Sequence, residues 1–160
     1  MKTRILFVCT GNICRSPTAE GVLRKVIERT GMAGRIEVDS AGTHGYHVGD
    51  PPDERSQQAA KRRGYDISGL RGRRVSPEDF RRFDIILAMD REHLEILECS
   101  RPTGATCRIG LLLEYCSRFE EEEVPDPYYG GPDGFEHVLD LIEDAATGLI
   151  AALRNERPKG

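Results

Sequence analysis

Cys9 and Arg15 are separated by Thr10-Gly11-Asn12-Ile13-Cys14, and Ser16 and Pro17 follow directly. A thiol and a guanidinium bracketing one short loop can attack and hold an anion, provided the chain turns both groups inward. The flanking residues predict that turn. Ile5-Leu6-Phe7-Val8 is short, apolar and rich in β-branched and aromatic side chains, so it reads as a buried strand that stops at the cysteine. Beyond the loop, Ser16 suits a helix N-cap, Pro17 the first helical position, and Glu20 the far side of a capping box. The loop therefore ends at a helix N-terminus. Unpaired N–H groups there, together with those of the Thr10-Gly11-Asn12 bend, bind an anion. Gly11 and Asn12 tolerate the left-handed backbone such a bend needs. A cysteine facing those dipoles and an arginine is expected to be a thiolate at neutral pH. The arginine fork matches two phosphate oxygens. Nucleophile, oxyanion cradle and transition-state clamp thus fall within one short segment.

Two plainer readings compete: a buried strand-end thiol, and a metal-binding pair made of Cys9 and Cys14. No second Cys or His pair at zinc spacing accompanies them, so no metal is expected. The segment also lacks G-x-x-x-x-G-K-[ST], which excludes a nucleotide P-loop. Cys14 has a redox meaning as well, because peroxide would oxidise an accessible Cys9 and a neighbouring thiol could capture it as a disulfide.

The elements that must position this loop follow in order. Ala19, Val22, Leu23, Val26 and Ile27 recur at spacings of three and four, giving a helix with one apolar face that ends near Gly31. Arg35 to Ala41 alternates as a second strand closed by Gly42, and strand–helix–strand implies a right-handed crossover and a parallel sheet. Thr43 to Asp53, with two glycines and two prolines, is a surface loop carrying His44, Tyr46, His47 and Val48. Asp53 caps a helix that stops at Gly64. Ser76-Pro77-Glu78-Asp79 opens a short helix covering Phe80 and Phe83. Asp84 to Met89 is a third, buried strand. Asp90 at its carboxyl end either faces a ligand crevice or caps the helix Arg91 to Glu98. Thr106 to Leu113 supplies a fourth strand, Glu114 to Glu123 a polar loop, and Val124 to Pro132 a rigid loop holding Asp126 between two prolines, with Tyr128 and Tyr129 beside it. Phe135 to Leu153 closes the chain as an amphipathic helix. The expected fold is α/β: three layers, a four-stranded parallel sheet with helices on both faces, and the Cys9 loop at the carboxyl end of the first strand. Residues 1–160 read as a single domain.

Net charge of −4 argues against a nucleic-acid partner, although Arg71, Arg73 and Arg74 form a basic cluster that could draw anionic substrates. Five cysteines at irregular spacing make no disulfide framework and suit a reducing compartment. The apolar run in MKTRILFVC is too short for a signal peptide or a membrane span, so a cytoplasmic protein, monomeric or weakly dimeric, is expected.

VCTGNICRSPTAE, DSAGTHGYHVGDPPD, ILAMDREHL and VPDPYYGGPDGFE together resemble, in order, the motifs of the low-molecular-weight protein tyrosine phosphatases. The resemblance implies a cofactor-free phosphomonoesterase acting on a phosphotyrosine-bearing protein or a small aryl phosphate, with inorganic phosphate as product inhibitor. It implies Cys9 as nucleophile, Arg15 as phosphate clamp and Asp126 as general acid and base. Thr10, Gly11, Asn12, Ile13, Cys14 and Ser16 would form the substrate loop, with Tyr46, Tyr128 and Tyr129 as aromatic walls and Ser40 and Asp90 as supports. Leu70 stands where many members carry a histidine that braces the loop asparagine, and leucine cannot make that bond. His93 stands where asparagine is frequent and is assigned no catalytic role. A phosphoarginine-directed branch, a thiol-dependent arsenate reductase using Cys99 and Cys107, and a silent phosphate-binding module are the alternatives on this fold.

Overall fold

The computed structural model describes residues 2–127 and 131–155. Four parallel strands, β1 (Thr3–Cys9), β2 (Ile36–Gly42), β3 (Ile85–Ala88) and β4 (Arg108–Leu111), form one sheet in the order β2-β1-β3-β4. Helices α1 (Arg15–Arg29), α2 (Glu54–Arg62), α3 (Asp79–Arg82), α4 (Arg91–Ser100) and α5 (Pro132–Asn155), and a 3₁₀ turn at Leu112–Tyr115, complete it. That turn takes Leu112 and Leu113 from the segment read as the fourth strand and Glu114 and Tyr115 from the one read as polar loop.

Side-chain alternation along the strands divides the core in two, because successive residues point to opposite faces. Ile5, Phe7, Ile85 and Leu87 pack with Leu23 of α1 and Leu139, Ile142 and Leu149 of α5. Leu6, Val8, Ile86 and Ala88 pack with Phe80, Phe83 and Leu97 on the other face. Cys9 follows Ile5 and Phe7 on the α1 side. The chain leaves β1 for α1 on one face and later returns through β3 on β1's other side. The C-terminal ends of β1 and β3 therefore border the crevice in which open α/β sheets bind ligands. Among the described residues, no helix is long and apolar enough to cross a membrane.

α5 lies tightly against the 3₁₀ turn at Gly148, where a Cβ would stand 1.9 Å from the Tyr115 carbonyl oxygen. Backbone on both sides leaves no flexible group to yield. Gly148→Ala should therefore destabilise the fold by about 1–3 kcal/mol, the usual range for overpacking. A thermal midpoint equal to that of the parent would show that α5 can shift without penalty.

Candidate active site

The Cys9 loop is held from behind by side chains whose polar atoms are nearly all occupied. Asn12 adopts φ 58, the one left-handed non-glycine residue among those described. Its amide nitrogen donates to Ser16 Oγ at 2.8 Å and to Ser40 Oγ at 3.0 Å, and its Oδ1 accepts the Arg73 backbone N–H at 3.0 Å. The support that Leu70 cannot give thus comes from a main-chain donor three residues further on. Ser40 in turn donates to Glu20 at 2.7 Å, and Arg24 donates to the other Glu20 oxygen. Burial pushes the Glu20 carboxyl up, while the Ser40 and Arg24 hydrogen bonds oppose that shift.

These bonds correct the sequence reading of the helix start. α1 begins at Arg15, with Cys14 at the N-cap, and Ser16 lies within the first turn. Ser16 Oγ is instead 3.0 Å from Cys9 Sγ, and Glu20 reaches across to Ser40 rather than back to a capping N–H. Pro17 still sits in the first turn, where its missing N–H has no intrahelical partner to lose. Asn12 and Ser16, expected among the substrate contacts, are 2% and 0% exposed and stand behind the pocket, not on its wall.

Arg15 is also buried. Its Nη1 donates to Asp90 Oδ2 at 2.9 Å and to the Val124 carbonyl at 3.0 Å, while Nη2 lies 3.9 Å from Asp126 Oδ2. Asp90 also caps α4 by accepting the His93 N–H, the second of its two alternative expectations, and it stands behind Arg15 and does not line the pocket. Two fixed acceptors leave the guanidinium little freedom to rotate, so the edge toward Asp126 is preorganised.

Cys9, Thr10, Gly11, Ile13, Cys14, Arg15, Tyr46, His47 and Asp126 converge on one pocket of about 310 Å³. Tyr46 is largely exposed at its mouth and stacks on His44, with ring centroids 5.2 Å apart and planes 8° off parallel. Tyr128 and Tyr129, the expected second aromatic wall, lie outside the described residues. A larger groove of about 560 Å³ beside Arg24, Val38 and Phe83 contains no cysteine. Among the described residues, no group of three His, Cys, Asp or Glu side chains is arranged to hold a metal.

Two histidines belong to the site although the sequence did not mark them. His47 packs on Gly11 so closely that a Cβ there would fall 2.9 Å from its ring. His93, 1% exposed, sits with Nε2 2.7 Å from Thr10 Oγ1 and Nδ1 3.0 Å from Asp90 Oδ1. Burial and the Arg15 charge push its imidazole down to about 4. A histidine in a helix first turn, at a position where asparagine is frequent, gave no hint of this contact.

The basic cluster separates in the structure. Arg73 is committed to Asp39 and Asp79, and Arg71 to the carbonyls of Ser68 and Leu70, so both brace the chain behind the loop. Arg71 and Arg74 are both exposed, and Arg74 lies beside Gly45 of the Tyr46 loop.

The family description "Low molecular weight phosphotyrosine protein phosphatase" matches residues 4–159. The chain is 41% identical to the low molecular weight protein-tyrosine-phosphatase YfkJ of Bacillus subtilis, over 96% of this chain and 97% of that one. A solved protein tyrosine phosphatase of Entamoeba histolytica, with Hepes in its active site, superposes with a TM-score of 0.94 at 41% identity, covering 98% and 100% of the two chains. A Drosophila arginine phosphatase superposes with a TM-score of 0.89 at 36% identity, covering 98% and 99%.

Proposed function

The chain belongs to the low-molecular-weight phosphotyrosine protein phosphatase family and is a phosphatase, and from that premise we propose that it hydrolyses phosphotyrosine monoesters through a phosphate ester of Cys9. The observation that carries this reading is the convergence of Cys9, Arg15 and Asp126 on one pocket at the carboxyl end of β1.

The Cys9 thiolate attacks phosphorus in line, forming the S–P bond as the P–O bond to the phenol breaks. Asp126 gives its proton to the departing phenolate. Arg15, fixed on its far side by Asp90, and the loop N–H groups hold the equatorial oxygens as charge spreads over them. Water then attacks the same phosphorus while Asp126 takes its proton. The S–P bond breaks, inorganic phosphate leaves, and Asp126 is again protonated for the next cycle. The Tyr46 ring, exposed at the pocket mouth, stacks on the aryl group of the substrate in this reading.

Phosphoarginine is the second reading, favoured by the likeness to the Drosophila enzyme. Against it, Ile13 puts a branched apolar side chain on the pocket wall, which packs on an aryl ring and crowds a guanidinium plane. Initial rates on phosphotyrosine, phosphoserine and phosphoarginine peptides, and on arsenate with a thiol reductant, all with chelator present, should be highest on phosphotyrosine. Ile13→Thr should raise phosphoarginine activity relative to phosphotyrosine. A parent enzyme fastest on phosphoarginine would replace the reading, and an unchanged ratio in Ile13→Thr would remove the steric argument.

Cys14 gives the site a redox response. Burial pushes its thiol up to about 12, with a Ser56 hydrogen bond working the other way, so Cys14 is protonated at neutral pH. Capture of an oxidised Cys9 requires the Cys14 thiolate, whose fraction rises about tenfold per pH unit below that value. Peroxide inactivation should therefore be reversed by dithiothreitol in the parent, but not in Cys14→Ser, and the protected fraction should grow as pH rises. Equal recovery of the two proteins after reduction would count against a Cys9–Cys14 disulfide.

A further inference from the structure

We propose that His93 is a positioning residue that couples anion binding in the Cys9 loop to the uptake of one proton. In this proposal the bound anion draws a proton from solvent onto the imidazole, and the imidazolium turns the Thr10 hydroxyl proton into the pocket. It rests on the reading of that loop as a phosphate cradle.

The geometry leaves few arrangements. His93 Nδ1 has no hydrogen-bond partner, yet Asp90 Oδ1 is only 3.0 Å away, close enough for electrostatic attraction but outside hydrogen-bond alignment. A bare lone pair facing a carboxylate is repelled, so the neutral ring carries its proton on Nδ1. Nε2 is then an acceptor, and the Thr10 hydroxyl, 2.7 Å away, donates to it. In that state Thr10 turns oxygen lone pairs toward the pocket it lines, which is unfavourable beside an anion. A second proton on Nε2 reverses the bond. Nε2–H donates to Thr10 Oγ1, and the hydroxyl proton is released to point at a phosphate oxygen.

The charged groups around the ring show why an anion would trigger the change. Burial, Arg15 of α1 and His44 of the loop after β2 oppose a charged imidazole, whereas Asp90 before α4 and Asp126 of the later loop favour it. An anion seated on Arg15 cancels the largest opposing charge and adds negative charge on the Thr10 side. Proton uptake and anion affinity then reinforce each other by linkage.

Tungstate is a suitable probe because it is a phosphate-shaped dianion with no proton of its own near neutrality. Ring-nitrogen spectra of the whole protein, taken near pH 6 without and with saturating tungstate, should show His93 change from one protonated nitrogen to two. His137 on α5 serves as the unchanged control. In His93→Asn, tungstate affinity should lose part of its pH dependence, so that the parent gains roughly threefold or more over the variant between about pH 7 and pH 6. Tungstate binding with an unaltered His93 ring, or with the same pH slope in parent and variant, would overturn the proposal alone. Failure of tungstate to bind would overturn the cradle reading and the proposal with it. The spectra of the parent decide the matter even where the variant folds poorly.

Discussion

Cys9→Ser should lower turnover of phosphotyrosine by roughly 10⁴- to 10⁶-fold, the scale on which removal of a covalent nucleophile acts, while phosphate or tungstate still binds. A serine hydroxyl at this position keeps the strand end and the loop, but it is protonated at neutral pH and is a far weaker nucleophile. The distances support the separation of binding from chemistry. The anion ligands in the proposed mechanism are Arg15 and the loop N–H groups, and Arg15 is fixed by Asp90 and the Val124 carbonyl, not by the cysteine. Cys99, exposed at the end of α4, and Cys107, buried before β4, are far along the chain from the loop and line no part of its pocket. Cys99→Ser should leave the rate within a factor of about two, since exposed substitutions away from a site act weakly. Loss of activity in Cys99→Ser or Cys107→Ser would point instead to arsenate reduction.

Asp126→Asn should slow phosphotyrosine hydrolysis by about 10²- to 10⁴-fold, the usual contribution of a positioned general acid. The loss should shrink on activated aryl esters, whose phenolates leave without a proton. Asp126 lines the pocket and its Oδ2 stands 3.9 Å from Arg15 Nη2, beside the proposed phosphate position. Asparagine keeps that shape and removes only the transferable proton. Equal losses on phosphotyrosine and on an activated ester would show that the carboxyl acts by charge or packing and not as an acid.

The sheet was legible because its strands are short apolar runs, and its parallel order followed from the helix between the first two. The turn from β1 into α1 was legible because an apolar run stops at Cys9, Asn12 tolerates the left-handed backbone it adopts, and Pro17 suits a helix start. What the sequence hid depends on tertiary partners. Ser16 has the spelling of an N-cap, but a short hydroxyl can satisfy a helix end or a neighbouring side chain. Here Cys9 and Asn12 claim it. The brace on Asn12 is the main-chain N–H of Arg73, a donor every residue but proline carries and no motif can mark. His47 and His93 reach the loop from segments distant in sequence, and only the packed structure shows which face each ring presents. Asp90 was read either as a cap or as a crevice residue, and its carboxylate caps α4 through one oxygen while the other accepts from Arg15.

The central claim is that phosphate is carried on Cys9 between the two chemical steps. Intact-mass spectrometry of enzyme quenched during turnover of a phosphotyrosine peptide, followed by peptide mapping, tests it most directly. With an activated aryl ester, whose phenolate leaves without a proton, substitution of Asp126 by alanine should slow hydrolysis of the intermediate more than its formation and so enrich it. The account predicts the added mass of one phosphoryl group on the peptide containing Cys9, lost when Cys9 is replaced by serine. Turnover without any phosphorylated enzyme, or a phosphoryl group on a different residue, would contradict it.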